Sequence, residues 1–244
     1  MAKMCAPRYR VRFAETKADL LSAQALRHRC FRGGEGFDRD AHDEVCRHIL
    51  IEHRLRKELV ACLRILPLSH GEEIGKSYSA LFYDLKPLSE YGAPLAEIGR
   101  FCISPSLKDG ADVLRLLWGE LTRYVDEQGI GMLFGCVSFQ GTDVEDYLDT
   151  FDLLRDGRIA PRRWRPLIKS QDVFRFSDRD RKDTDRKRGL RMMPPLLRTY
   201  LAMGGWVSDH AVVDEDLGTL HVFTGVEISS VPQKRAQMLR AAQE

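Results

Sequence analysis

The fold is decided by the stretch LAEIGRFCI, Leu95–Ile103, an apolar run with the length of one β-strand. Two charged residues, Glu97 and Arg100, interrupt it, and charges in such a run are rarely buried unless they are paired or functional. In a regular strand they would point to opposite faces, because side chains alternate. A one-residue bulge at Gly99 would turn both to one face and leave backbone groups unpaired. The alternative is a structural ion pair, and this stretch alone leaves both interpretations open.

The chain before this stretch shows the patterns of a strand, a helix and a hairpin. Alternation predicts a strand at Tyr9–Phe13, and a capping pattern at Thr16 predicts a helix from Ala18 to Phe31. Two β-rich runs predict a hairpin within residues 47–66. The helix residues that should face inward are Leu20, Leu21, Ala25 and Leu26.

The chain after this stretch favours a mixed sheet. Apolar residues at helical spacing predict a helix over residues 111–128, and a short apolar strand follows over residues 130–137. A strand, a long helix and a buried strand in series indicate an α/β (α+β) fold. Residues 162–191, called the basic stretch below, carry many more Lys and Arg than Asp and should be the least structured part of the chain.

Composition places the chain among ordinary globular proteins. It has 244 residues, of which 43% are hydrophobic and 30% charged, and its net charge of +2 argues against a general polyanion binder. We expect one domain over residues 1–230, with a basic, loop-rich insertion near 160–190 and a polar tail over 231–244. The six scattered cysteines, Cys5 among them, and the absence of a signal peptide or a membrane span predict a cytoplasmic protein.

Several charged side chains lie in or beside apolar elements, where a purely structural role does not readily explain them. Arginine forks grip carboxylates and acidic residues hold ammonium groups, so together they predict a pocket for a zwitterionic amino acid. The alternative is a set of boundary salt bridges, each contributing little. The residues are Arg27, Asp40, Asp43, Arg64, Glu97 and Arg100, with Phe31 one helical turn after Arg27.

Other chemistries find little support in the sequence. Ser138 is not in a G-x-S-x-G elbow, and His42 and His48 lack a second ligand pair, so no metal site is predicted. The basic stretch matches no nucleic-acid motif, and it is either a solvated face or a docking patch for an acidic partner.

Short motifs in fixed order resemble a known group of enzymes. The first four resemble motifs shared by bacterial ornithine-lipid acyltransferases and acyl-homoserine-lactone synthases, two groups of GNAT-like acyltransferases. They are LRHRCF (Leu26–Phe31), DAHD (Asp40–Asp43), LRILP (Leu63–Pro67) and EIGR (Glu97–Arg100). Three motifs in the second half are similar to the ornithine branch. These are FGCVSFQGTD (Phe134–Asp143), PPLLRTYLAMGGW (Pro194–Trp206) and HVF (His221–Phe223).

The resemblance implies a fold and an activity. The fold would be GNAT-like, with a mixed, mostly antiparallel twisted sheet flanked by helices. The activity would be transfer of a 3-hydroxyacyl group from acyl-carrier protein to the α-amino group of L-ornithine, giving lyso-ornithine lipid. No cofactor is implied beyond the phosphopantetheine thioester of the donor. The pyrophosphate-binding loop of coenzyme A-dependent relatives is not intact in Ser106 to Asp112, which fits a carrier-protein donor.

Two alternatives stay open. One is an acyl-homoserine-lactone synthase, although the tryptophan common after the first helix of that group is absent from Gly33 to Asp40. The other is a non-catalytic GNAT-fold protein that binds a membrane or nucleic acid through the basic stretch.

The chemistry of acyl transfer to an amine suggests roles for individual residues. Glu97 would act as general base on the amine, and Arg100 would order it or join Arg64 in gripping the ornithine carboxylate. Asp40 and Asp43 would hold the side-chain ammonium or fix their loop. A free N–H near Phe101 to Ile103 would receive the developing oxyanion, and Arg27 and Phe31 would complete the binding site. The basic stretch would dock acyl-carrier protein or contact anionic lipid at the inner membrane face.

Overall fold

The computed structural model describes residues 8–179 and 184–241. Cys5, residues 180–183 of the basic stretch and residues 242–244 of the polar tail lie outside the described residues. The described strands are β1 (Tyr9–Phe13), β2 (Arg47–His53), β3 (Glu58–Leu68), β4 (Tyr83–Asp84), β5 (Leu95–Ile103), β6 (Met132–Gln140), β7 (Leu167–Ile168), β8 (Val173–Arg175), β9 (Trp206–Val207), β10 (His210–Asp214) and β11 (Thr219–Glu227). The described helices are α1 (Lys17–Phe31), α2 (Gly110–Gln128), α3 (Leu148–Arg155), α4 (Arg186–Met192), α5 (Pro195–Ala202) and α6 (Gln233–Ala241).

The chain divides into two compact units. The first contains the described residues up to Leu66, Ile98–Gln128 and the chain from Ala236 onward. The second contains Pro67–Glu97 and the described residues of Gly129–Arg235. Strand β5 belongs to both, since its residues 95–97 lie in the second unit and its residues 98–103 in the first. The single domain expected over residues 1–230 stays a prediction.

The first unit is built on strands in the order β1-β2-β3-β5. Both β1–β2 and β2–β3 are antiparallel, as the predicted hairpin requires. Helix α1 begins at a capping box in which Thr16 and Asp19 exchange side-chain and backbone hydrogen bonds. It buries Ala23 and Leu26 against Leu50 and Cys62.

The buried face of α1 differs from the predicted one. Its buried residues are Ala23, Gln24, Leu26 and Arg27, whereas Leu21 is exposed. The expectation of an inward-facing Leu21 is therefore wrong. Two polar side chains occupy the inner face because they find charged or polar partners there, which an apolar periodicity does not reveal.

The second unit continues the strand order as β5-β6-β11-β10-β8, with β9 on β11. The β5–β6 ladder is parallel and covers Leu95–Glu97 and Met132–Phe134, whereas β6–β11 and β11–β10 are antiparallel. Strands β4 and β7 form a separate antiparallel pair. The predicted class, a mixed and mostly antiparallel sheet with flanking helices, is confirmed.

The basic stretch contains regular elements that the sequence did not predict. They are β7, β8 and α4 among its described residues. Helix α4 packs closely on α3 at Gly189, where an added Cβ would lie 2.7 Å from the carbonyl oxygen of Asp149. Asp149 and Asp152 on α3 also pair with basic side chains, Arg188 at 3.3 Å and Arg179 at 3.0 Å. Ion pairs with α3 therefore hold part of the basic stretch against the protein, although its composition predicts a solvated segment.

The polar tail contains a helix. Helix α6 has no buried residue along its described length, and in the first unit its Arg240 forms two 2.9 Å hydrogen bonds with Asp126 of α2. None of the described helices has the length and apolar content needed to cross a membrane.

Candidate functional site

The backbone of β5 is irregular at Arg100. This residue has φ +52°, whereas Gly99 has no positive φ. This irregularity lies one residue after Gly99, and the bulge predicted at Gly99 stays a prediction. A left-handed conformation costs a non-glycine residue roughly 1–2 kcal/mol, so contacts of its side chain must compensate. The Arg100 guanidinium provides them, because Nε donates to Asp38 Oδ2 at 2.9 Å and Nη2 to Asp40 Oδ2 at 3.2 Å.

Five of the predicted residues meet in one network within the first unit, which we call the arginine–aspartate cluster. Its members are Arg27, Arg64, Arg100, Asp38, Asp40 and Asp43. The central contact is a bidentate pair in which Arg27 Nη1 and Nη2 donate to Asp43 Oδ1 and Oδ2 at 2.7 and 2.8 Å. Arg64 Nη1 then bridges Asp40 and Asp43, donating to an oxygen of each at 2.6 and 2.8 Å.

Asp38 is the member that sequence reasoning missed. Its Oδ2 accepts hydrogen bonds from Arg27 Nε and Arg100 Nε, both at 2.9 Å, so it joins helix α1 to strand β5. Gln24 was also missed, and its Nε2 donates to Asp43 Oδ2 at 2.9 Å. A buried loop aspartate has the same local sequence signals as an exposed one, so Asp38 could not be recognised. The signal for Gln24 was its spacing of one helical turn from Arg27, which places both side chains where they can share a partner.

Burial divides the cluster into inner and outer members. The Arg27 and Asp43 side chains are only 1% and 2% exposed, whereas the Asp40 and Arg100 side chains are 21% and 11% exposed. Burial alone would raise the pKa of Asp43, but hydrogen bonds and charge from Arg27 and Arg64 hold that pKa well below its usual value. The pKa of Asp40 is likewise lowered, since Arg64 and Arg100 outweigh its burial. Both carboxylates are therefore ionised at neutral pH.

Three other predicted residues lie outside this network. Phe31 ends α1 and is 38% exposed. Phe101 packs its ring 6.2 Å from that of Trp118, and the Ile103 carbonyl accepts from Cys30 Sγ at 3.6 Å. Their roles in substrate binding stay predictions, as do those of the cluster residues.

Glu97 lies in the second unit and is 5% exposed. Its Oε1 accepts from the backbone N–H and the hydroxyl of Ser79, at 2.7 and 2.5 Å, and its Oε2 accepts from the backbone N–H of Tyr78 at 2.8 Å. A carboxylate offers about four lone-pair positions, so the three bonds formed by described residues leave one, on Oε2. The geometry fixes the carboxylate on the turn that begins the 3-10 helix Ser79–Leu81 and still allows one further hydrogen to be accepted.

Ser79 was not foreseen from the sequence, in which residues 71–92 show only a loop pattern with an aromatic cluster. Its role depends on a contact with Glu97 eighteen residues away, which no local pattern encodes. Among the described residues, no group of three or more His, Cys, Asp and Glu side chains has the geometry to hold a metal ion.

Comparisons with known proteins define the relationship. Residues 24–119 match the family model described as an acetyltransferase (GNAT) domain. The curated L-ornithine N(alpha)-acyltransferase of Rhodobacter capsulatus is 31% identical, covering 94% of this chain and 93% of the relative. The protein of the same name from Brucella abortus is 28% identical over 92% of this chain and 86% of its own.

A solved structure supports the fold alone. The crystal structure of TofI in an apo form aligns with a TM-score of 0.52 at 14% identity, covering 97% of this chain and 99% of that one. The GNAT-like fold expected from the motifs is thereby confirmed. Because it is 31% identical to the R. capsulatus enzyme along nearly its full length, the chain belongs to the L-ornithine N(alpha)-acyltransferase family and is a GNAT-type acyltransferase.

Proposed function

We propose that this protein transfers a 3-hydroxyacyl group from acyl-carrier protein to the α-amino group of L-ornithine, giving lyso-ornithine lipid. The observation that carries the proposal is the similarity to enzymes of that name along 94% of the chain. The donor brings its own phosphopantetheine thioester, so the reaction needs no further cofactor.

Glu97 is the proposed general base. An α-ammonium group must lose a proton before it can attack a thioester, and a carboxylate within hydrogen-bond reach, directly or through one water, can take it. The free lone-pair position on Oε2 is available for that proton, while the three donors hold the carboxylate in place. Orientation of this kind, rather than a covalent enzyme intermediate, supplies much of the acceleration.

The arginine–aspartate cluster is the proposed support for ornithine. Its inner pair, Arg27 and Asp43, has almost no surface for a ligand, so we assign it the task of holding the outer members. Arg100 can offer its guanidinium to the substrate carboxylate and Asp40 its carboxylate to an ammonium group. Arg64, which is bonded to both aspartates, fixes the position of Asp40.

The basic stretch is the proposed docking surface for acyl-carrier protein. Arg162, Arg163, Lys169, Arg186 and Lys187 are exposed on the second unit, and positive surfaces steer acidic partners. Reversing Arg186 and Lys187 to Glu should raise the KM for the carrier protein several-fold without changing the KM for ornithine. A different result would indicate peripheral membrane binding instead. In that case the wild type would cosediment with anionic vesicles, the variant would not, and the KM for the carrier protein would be unchanged.

The reaction can be tested with purified components. Incubation with L-ornithine and 3-hydroxyacyl carrier protein should release the carrier thiol and yield N-acylornithine by mass spectrometry. S-adenosylmethionine offered in place of ornithine should yield no lactone. Lactone formation without ornithine acylation would overturn the proposal in favour of a homoserine-lactone synthase.

A further inference from the structure

One face of the second unit's sheet carries polar side chains that the proposed reaction has not used. In the β6–β11 ladder, Cys136 lies opposite Phe223 and Ser138 lies opposite His221. Directly paired residues share a face, and so do alternate residues of one strand. His221 is only 2% exposed, and Tyr83, which is also buried, packs its ring 5.6 Å from the imidazole.

Hydrogen bonding between Tyr83 and His221 favours one tautomer of His221. The Tyr83 hydroxyl donates its one proton to the carbonyl oxygen of His221 at 2.9 Å. The phenol oxygen can then only accept from His221 Nδ1, which lies 3.1 Å away and must carry the hydrogen. Burial, and next the neighbouring His210, lower the pKa of His221 to about 4, so the imidazole is neutral near pH 7. Its Nε2 therefore presents a lone pair.

That lone pair is buried without a hydrogen-bond partner among residues 8–179 and 184–241. An unsatisfied buried acceptor costs about 1–3 kcal/mol, and a polar group kept at such a cost calls for an explanation. The missing partner must be a hydrogen-bond donor. Phe82, whose ring lies 4.8 Å from His221, is partly exposed, and Ser138, opposite His221, is exposed, so solvent reaches side chains beside the imidazole.

The same face leads back to Glu97. Glu97 pairs with Phe134 in the β5–β6 ladder, and Ser79 Oγ contacts both Glu97 Oε1, at 2.5 Å, and Cys136 Sγ, at 3.4 Å. Cys136 is the diagonal neighbour of His221, a relation that separates residues by about 7–8 Å. An acyl chain that starts at a thioester near Glu97 and runs along this face past Cys136 comes to His221.

We propose that His221 Nε2 accepts a hydrogen bond from the 3-hydroxyl group of the acyl chain and so selects hydroxylated donors. The inference rests on the proposed function, because the hydroxyl is the one uncharged donor that the proposed acyl group carries near its carbonyl. Tyr83 acts as a positioning residue, since it keeps the acceptor nitrogen unprotonated.

The test compares 3-hydroxyacyl carrier protein with its unsubstituted analogue of equal chain length. The wild type should favour the hydroxylated donor in kcat/KM by about tenfold or more, the size of one hydrogen bond to a buried acceptor. His221→Leu should bring the ratio close to one, mainly by loss on the hydroxylated donor. His221→Gln, whose amide oxygen can replace Nε2, should restore part of the preference.

Matched controls separate recognition from folding. His53→Leu removes another buried histidine, in the first unit, and should leave the donor ratio unchanged. If His221→Leu does not fold, Tyr83→Phe should still lower the ratio. Equal rates of the wild type on both donors, or a ratio that survives in His221→Leu, would overturn the inference and leave ornithine acylation standing. Failure of the wild type with both donors would instead remove the proposed function.

Discussion

At the scale of single residues, the cluster in the first unit shows how charges become buried in this protein. Each carboxylate of the cluster accepts from at least two arginine nitrogens, and the Arg27–Asp43 contact is bidentate. Removing one partner of a buried pair costs far more than the pair itself contributes, because an uncompensated charge stays behind. The inner residues are therefore expected to matter for stability, and the outer ones are the proposed binding residues.

Asp43→Asn should test that division. It leaves Arg27 and Arg64 without their shared carboxylate, so we expect a loss of about 3–5 kcal/mol in the free energy of unfolding, measured by urea denaturation. The control is Asp112→Asn, which breaks an exposed pair with Arg115 and should change stability little. Equal losses in the two variants would contradict the assignment.

The pH dependence of stability follows from the same carboxylates. The pKa values of Asp40 and Asp43 are lowered in the folded protein, so both contribute stability above their unfolded pKa of about 3.9. That stability is lost as the pH falls through the lower folded values. Urea midpoints should therefore fall steeply below about pH 4, and the slope should be shallower in Asp43→Asn. An unchanged slope in that variant would be evidence against the coupling.

Glu97→Gln tests the proposed base. The amide is nearly isosteric but cannot take a proton, so kcat should fall by about 100-fold or more. Thermal melting should show that the variant still folds. Ser79→Ala, which removes one hydrogen bond to Oε1 and keeps the base, should reduce kcat less. Near wild-type turnover in Glu97→Gln would eliminate the general-base role.

The sequence predicted five of the six cluster residues, because they fall in short motifs with a recognisable order. Asp38, Gln24 and Ser79 escaped for a physical reason. Their partners lie on other segments, and a side chain that is polar in a loop or on a helix looks the same whether it is buried or solvated. Only the fold supplies the arginine or carboxylate that makes its burial possible.

At the scale of elements, strand β5 combines regular pairing with one strained residue. Its parallel ladder with β6 covers Leu95–Glu97, and Arg100 follows in a left-handed conformation. The strain lies at an arginine because its guanidinium reaches Asp38 and Asp40, whereas a glycine would adopt the conformation freely but form no such bonds.

Gly99→Ala should accordingly be tolerated. An added Cβ at this position would come no closer than 3.8 Å to Arg64 Nε, and the backbone does not require glycine. We expect a thermal midpoint close to that of the wild type. Gly205→Ala provides the contrast, because its Cβ would lie 2.6 Å from the backbone oxygen of Tyr200 and should destabilise the fold clearly. A large fall in the thermal midpoint of Gly99→Ala would instead indicate that the backbone requires glycine at this position, as a bulge at Gly99 would.

Long periodic elements were predictable and short ones were not. Helix α2 was expected over residues 111–128 and spans Gly110–Gln128, because its apolar stripe is strong. Strands β7 and β8 contain two and three residues, too few to show any period. Helix α4 depends on close packing at Gly189 and on an acidic partner on α3. Composition alone does not reveal these contacts and predicts a solvated basic segment.

At the scale of the whole molecule, similarity to the curated enzymes extends over nearly the full chain, so both units belong to the shared architecture. Each unit contributes its own chemistry, with the paired charges in the first and the carboxylate of Glu97 in the second. The buried Tyr83–His221 pair adds the proposed means of selecting the acyl group. The proposed function therefore uses residues of both units.

The most direct measurement of the central claim is lipid mass spectrometry of a bacterial host that lacks ornithine lipids and expresses this chain without a partner O-acyltransferase. The account predicts lyso-ornithine lipid carrying a single amide-linked 3-hydroxyacyl group, and its absence when Glu97→Gln is expressed at the same level. A wild-type chain that is expressed and folded but yields no ornithine-containing lipid would contradict it.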